Sequence, residues 1–220
     1  MKLSKLVFEC VRDSIQLSNP NMSYISFVNG DYDNSKDYIR QISSVFGYLN
    51  LAISRLYDND KIPYATKKVE VKNDWFTFED GEVINVVKLE KSSYTTYDFR
   101  TLNFGKEIVI FSKENLPSEL LVEYRKKIPH FDIDDMKTIT LDETNQYIVE
   151  DTNIEMEDYG ITDFMCAYLK EFVSAQLTEY LDPTMSNNHN NRAEQYFQSI
   201  KQASTSFYQS KVKNNARRLL

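Results

Sequence analysis

Helical periodicity at both ends of the chain encloses a middle block with strand periodicity, so the two termini must build one body around an insertion. Leu3, Leu6, Val7, Cys10, Val11 and Ile15 recur at three- and four-residue steps, the face of an amphipathic helix. Ser18-Asn19-Pro20 ends that pattern, and a turn-rich connector runs on through Gly30-Asp31. Ser35 is the expected N-cap of a second helix with the stripe Ile39, Ile42, Val45, Phe46, Leu49, Ile53, Leu56 and Tyr57, closed by Asp58-Asn59-Asp60. Toward the other end, Ile161, Phe164, Met165, Tyr168, Leu169, Phe172, Val173, Leu177, Tyr180 and Leu181 form a wide stripe that stops at Asp182-Pro183. A polar joint over residues 186–191, holding His189, precedes a last helix on Ala193, Tyr196, Phe197, Ile200, Ala203 and Phe207.

The spacing changes after Ile62-Pro63. Val69 and Val71 alternate with charge, and Trp75-Phe76-Thr77-Phe78 runs into Asp80-Gly81, a dipeptide that predicts a hairpin turning back into Val83 to Leu89. Tyr94 to Phe104 is aromatic and Thr-rich, and Gly105 precedes the apolar run Ile108-Val109-Ile110-Phe111. After Leu116-Pro117, Leu120, Val122 and Tyr124 alternate with Leu121, Glu123 and Arg125. About five short strands are expected in a small antiparallel sheet or barrel-like module. The fold class predicted is α+β: a helical bundle of about four helices with an inserted small antiparallel β module. Residues 1–60 and 158–210 are assigned to a helical platform, 61–131 to the β module, 132–157 to an acidic crossing segment and 211–220 to a C-terminal arm.

Charge narrows the function classes. With 26 Lys and Arg against 33 Asp and Glu, the chain carries −7, which excludes a globally basic nucleic-acid binder. Residues 132–158 hold ten acids against the single base Lys137, while the last ten residues hold four bases and no acid. Hydrophobic content of 41% with 13% aromatics excludes a disordered chain. No run approaches the length of a membrane span, and the N-terminal segment, interrupted by Glu9, Arg12 and Asp13, lacks a signal peptide's apolar core. Cys10 and Cys166, both on apolar helical faces, are expected as reduced core thiols of a protein folded in a reducing cytosol. The fifteen tyrosines suit protein contacts, although Asn- and Lys-rich composition accounts for them equally well.

A catalytic kit is not legible. The two histidines, His130 and His189, lack a Cys or His at ligand spacing, and no serine sits in a G-x-S-x-G elbow. No phosphate-cradling glycine motif occurs, so neither cofactor nor enzymatic activity is expected. Asp132, Asp134 and Asp135 could chelate a hard cation, but the glycine and terminal glutamate of a calcium loop are missing, and a solvated acidic face is the simpler reading. A metal-dependent enzyme on that cluster is therefore a distant rival, behind a non-enzymatic binding module that takes a protein or nucleic-acid ligand as a monomer or dimer. The basic end, Lys211, Val212, Lys213, Arg217, Arg218, Leu219 and Leu220, combines charge with apolar anchors, the make-up of an arm that orders on docking to a partner.

The order of these parts resembles the head–tail connector (adaptor) proteins of tailed bacteriophages, of the tail tubular protein A and head-completion type, including ring proteins of crAss-like podoviruses. Leu116-Pro117-Ser118-Glu119-Leu120-Leu121-Val122-Glu123-Tyr124-Arg125 looks like that family's last strand before its closing helices. The helix pair from Ile161 to Leu181 and from Arg192 to Phe207, with Ala193-Glu194-Gln195-Tyr196-Phe197, looks like its closing hairpin. The resemblance implies a virion protein, made in the host cytoplasm, that forms a ring of about twelve copies in the neck. It also implies contacts with the portal protein, neighbouring copies and the next tail or ring protein, without a membrane. The arm from Lys211 to Leu220 would then reach into the portal. DNA would pass through the lumen without sequence-specific binding. An acidic surface built from Asp132, Asp134, Asp135, Glu150, Asp151 and Glu155 would line that lumen or an interface, repelling phosphates so that DNA slides.

Overall fold

The computed structural model describes residues 1–14, 23–29, 36–89, 94–112, 115–141 and 147–203. They form two compact units, one of Met1–Lys61 with Pro129–Lys201 and one built on Ile62–Ile128.

The first unit carries five helices among the described residues: α1 (Leu3–Ser14), α2 (Tyr24–Val28), α3 (Lys36–Asp58), α4 (Asp163–Thr178) and α5 (Pro183–Ser199). Helix α4 lies at its centre, touching α1, α3 and α5. Its apolar residues extend round more than one face, so Met165, Cys166, Tyr168, Leu169, Val173 and Ala175 are all buried, as expected of a helix surrounded by others. Each large side chain so enclosed contributes roughly 1.5–3 kcal/mol. The chain's first residues extend this packing: Leu3 N donates to Ile154 O and Met156 N to Met1 O, both at 3.0 Å. Cys10 and Cys166 are buried and unbonded to each other, and burial pushes the Cys166 thiol up to about 12.

Three local expectations for this unit change. Helix α2 was not anticipated: five residues are too short to show a 3.6-residue period, and Ser23, whose hydroxyl accepts from Ser26 N at 3.1 Å, is its main signal. The joint expected over residues 186–191 lies inside α5, and the break falls at Glu179–Asp182 instead. Asp182-Pro183 is a start as well as a stop: Asp182 Oδ1 accepts from Thr184 N and Met185 N, both at 3.0 Å, and Pro183 occupies the first turn. His189, expected in that joint, is therefore buried on α5, with Nδ1 2.6 Å from Glu171 Oε2. Ile15, Ser18-Asn19-Pro20, Ser35 and Phe207 lie outside the described residues.

The second unit is one six-stranded antiparallel sheet. Its strands are β1 (Ala65–Glu70), β2 (Trp75–Thr77), β3 (Gly81–Leu89), β4 (Tyr94–Leu102), β5 (Glu107–Phe111) and β6 (Glu119–Lys126), in the order β1-β6-β3-β4-β5-β2. The sheet curls, and a register shift between Val83 and Asn85 places a bulge in β3, a device that increases local twist. The inner face carries Phe76, Phe78, Val86, Ile108, Ile110, Leu120, Val122 and Tyr124 as a self-contained core. A two-stranded ribbon, β7 (Lys137–Leu141) with β8 (Tyr147–Asp151), belongs to the first unit and occupies much of the acidic segment.

The expected bundle of about four helices with a small β insert is thus overturned. The described residues form a sheet-dominated α+β fold with five helices and a curled half-barrel sheet. Strand content is underestimated in the acidic segment, where β7 and β8 span only five residues each and carry two or three apolar residues, too few for a clear period-two signal. The hairpin expected at Asp80-Gly81 does not form either. β2 pairs with β5 at one edge, whereas β3 pairs with β4 and β6. Gly81 is absent from the positive-φ positions that a type I′ turn needs; it lies opposite Lys126, where the strands approach closely.

Within the first unit, Asn50 fixes where the chain re-enters. From the middle of α3 it accepts from Phe131 N at 3.0 Å and donates to Phe131 O at 2.8 Å, mimicking a strand partner for a buried backbone segment. Arg55 stacks 4.1 Å over Phe197 and donates to Glu194 at 2.7 Å, joining α3 to α5.

Candidate assembly surface

Strand alternation gives β5 two faces. Ile108 and Ile110 are buried, so Glu107, Val109 and Phe111 point outward. Register carries that outer face across three strands. Thr77, Glu107 and Leu102 form one row, Trp75, Val109 and Arg100 a second, and Phe111 with Asp98 a third. Trp75, Leu102 and Phe111 are exposed. A Trp, a Phe, a Leu and a Val beside one arginine form a patch of the composition found at protein-interface centres.

The turn that joins β4 to β5 ends this patch. Asn103, Phe104 and Gly105 have φ of 48°, 57° and 86°, three consecutive left-handed residues. Glycine adopts that region freely and asparagine tolerates it, but for Phe104 it costs about 1–2 kcal/mol. The strain is not offset by burial, because Phe104 is fully exposed at 107% relative accessibility. A strained backbone that holds an aromatic ring in water does nothing evident for this unit's own stability. The sequence pattern did not isolate it, since Phe104 reads as the last residue of an aromatic strand. The signal that could have found it is the Asn-Phe-Gly order at a turn.

The first unit has its own exposed apolar site, at the turn between α4 and α5. Tyr180 is 90% exposed and Leu181 74%, and Met185 follows on the first turn of α5.

The acidic residues have diverse roles. Asp132 and Asp135 form a reciprocal cap on a short 3-10 turn: Asp134 N donates to Asp132 Oδ1 at 2.9 Å and Asp132 N to Asp135 Oδ2 at 2.8 Å. That geometry uses the carboxylates on backbone donors, and among the described residues no group of metal-ligating side chains is suitably placed to hold an ion. Asp132, Asp134 and Glu150 are exposed, and Glu155 is half-buried. Asp151 is committed internally: Ser4 Oγ donates to it at 2.6 Å, Tyr24 OH at 2.8 Å, and Lys2 Nζ lies 3.1 Å away. Burial opposes its ionisation, but the hydrogen bonds from Ser4, Tyr24 and Lys2 outweigh burial and hold its carboxyl below the usual 3.8. Burial, in turn, lifts the Tyr24 phenol to about 12.

A depressed carboxyl pKa stabilises the fold above the unfolded value, and that contribution disappears as pH falls through the folded value. Asp151→Asn is therefore expected to lower stability by about 1–2 kcal/mol near pH 7. The difference from wild type should close as pH falls below the ordinary carboxylate range and through the depressed folded-state value. Urea unfolding midpoints of both proteins across that range measure it; a constant difference would show that the charge is irrelevant.

The arm residues Lys211, Val212, Lys213, Arg217, Arg218, Leu219 and Leu220 lie outside the described residues. Among the described residues no helix is long and apolar enough to cross a membrane. No protein-family model matches the chain, and no curated protein matches it either.

Proposed function

We propose that this chain is a structural, non-catalytic subunit of a ring in the neck of a tailed-bacteriophage virion, joining the portal to the tail around the channel that DNA traverses. The observation that carries the assembly part is the outer face of β2, β5 and β4 with the strained, fully exposed Phe104 beside it. An aromatic held in water at a conformational cost makes sense where a partner covers it. The neck assignment rests on the resemblance in the order of parts. The exposed acids Asp132, Asp134 and Glu150 accord with a surface that does not grip phosphates.

The test is particle imaging of the purified protein alone and mixed with a candidate portal ring. Rotationally symmetric particles of about twelve copies, formed alone or on the portal, are expected. A small fixed oligomer without affinity for any portal would sink the neck reading in favour of a binding module.

A further inference from the structure

The turn between α4 and α5 is rigid as well as apolar. Leu181 N and Asp182 N both donate to Thr178 O, at 3.0 and 2.9 Å, and the buried Thr178 hydroxyl donates to Ser174 O at 2.8 Å. Asp182 caps α5, Pro183 fixes the backbone of its first turn, and Ser186 Oγ donates to Ala175 O at 2.9 Å, tying α5 back onto α4. Tyr180 and Leu181 are thus held in water on a turn that has little order left to lose on docking. From Glu179 to Asn191 the chain holds two acids, Glu179 and Asp182, and no Lys or Arg. The outer face of β2, β5 and β4 has the opposite need. Its middle row sets Arg100 beside Val109 and Trp75, with Glu107 and Asp98 in the rows on either side. Arg100 is exposed and makes no ion pair among the described residues. A free guanidinium among aromatic and aliphatic side chains suits a carboxylate carried next to apolar groups.

We propose that the α4–α5 turn of one copy of this chain docks on the outer β2–β5–β4 face of the next, Tyr180 and Leu181 covering Trp75, Val109 and Phe111, and Glu179 meeting Arg100. The match is one of hydrophobicity and of charge: an apolar turn flanked by acids meets an apolar face centred on an arginine. Each copy then presents two different surfaces, so the contact is head-to-tail, the kind that propagates from copy to copy and closes into a ring where the rotation allows. The proposal rests on the assembly reading of that face and names its partner, a second copy of the chain. It stands whether or not the protein belongs to a virion neck.

Sedimentation of the full chain across a concentration series, without a portal, tests it. Wild type should self-associate as its concentration rises. Tyr180→Ser with Leu181→Ser removes the turn's anchors, and Trp75→Ala with Phe111→Ser removes their seat; each should weaken association by about a hundredfold. All four side chains are exposed, so unfolding midpoints should stay close to wild type. An equimolar mixture of the two variants should form heterodimers and stop there, because each keeps the half that the other lacks. Arg100→Glu should weaken association by about tenfold, and Glu179→Arg in the same chain should recover it. A turn variant that associates as wild type overturns the proposal, since the face then meets its own kind. So does a mixture that stays monomeric, and so does a charge reversal without recovery. If the seat variant does not fold, the turn variant and the charge reversal still decide. Wild type that is monomeric alone and forms rings only on a portal overturns this contact and leaves the neck reading standing. Head-to-tail association without affinity for any portal upholds the contact and sinks the neck reading.

Discussion

Gly81→Ala is expected to lower the stability of the β unit by about 3 kcal/mol or to prevent its folding, one of the few single-methyl changes with so large an effect. The added Cβ would sit 1.9 Å from Arg125 O, 2.8 Å from its carbonyl carbon and 3.1 Å from Lys126 Cα. All three are backbone atoms of β6, the strand that holds β1 on one side and β3 on the other, so they cannot yield as a flexible side chain would. The approach is also pinned locally. Lys127 N donates to Asp80 O at 3.2 Å, Arg125 pairs with Glu82 at 3.6 Å, and Lys67 pairs with Asp80. Gly47 is the control: it is exposed on α3, nothing lies within 4 Å of its Cβ position, and alanine there should stabilise by about 1 kcal/mol. Urea unfolding followed by Trp75 fluorescence measures the first and helical circular dichroism the second. A wild-type midpoint for Gly81→Ala would mean that β3 and β6 do not approach this closely.

Gly81 also marks where sequence reasoning reaches its limit. Asp-Gly between two β-prone runs is a local signal for a two-residue turn, and local signals cannot report which strand a run will pair with. The glycine is required by a neighbour forty-four positions away, at Arg125. The apolar stripe from Ile42 to Leu56 is legible because about four turns of one helix repeat the same spacing. Helix α2 is not, because a single turn has no period. Asp182-Pro183 is read only as a stop, because residues that end one helix pattern are also good residues to start the next. At the candidate surface, the outward positions of Trp75 and Phe111 follow from alternation once the strands are assigned. Their juxtaposition depends on β2 joining β5, which no local pattern encodes. The acidic run is legible as charge, but Asp151's commitment to Ser4 and Tyr24 depends on contacts 147 and 127 residues distant.

Phe104→Gly is expected to move two measurements in opposite directions. Glycine takes φ of +57° without strain, while its more flexible unfolded state costs about 0.4–1 kcal/mol. Relief of the left-handed penalty, about 1–2 kcal/mol, outweighs that, so the isolated subunit should gain about 0.5–1 kcal/mol. Little burial is lost, since the ring is fully exposed. If the ring is an anchor at a subunit contact, its removal should weaken self-association or portal binding by about 2–3 kcal/mol, roughly a hundredfold. Denaturant unfolding below the assembly concentration reads the first effect, and sedimentation across a concentration series reads the second. Trp75→Ala separates the two, because it should weaken assembly without relieving any backbone strain. Phe104→Asn, which keeps a left-handed-tolerant residue and loses the ring, should follow Phe104→Gly in assembly and gain less in stability. A Phe104→Gly protein that is more stable and assembles as wild type would show that this ring is not an anchor. A residue whose removal strengthens the fold and weakens the assembly has no place in an argument about folding, and its presence is then explained by the partner that covers it.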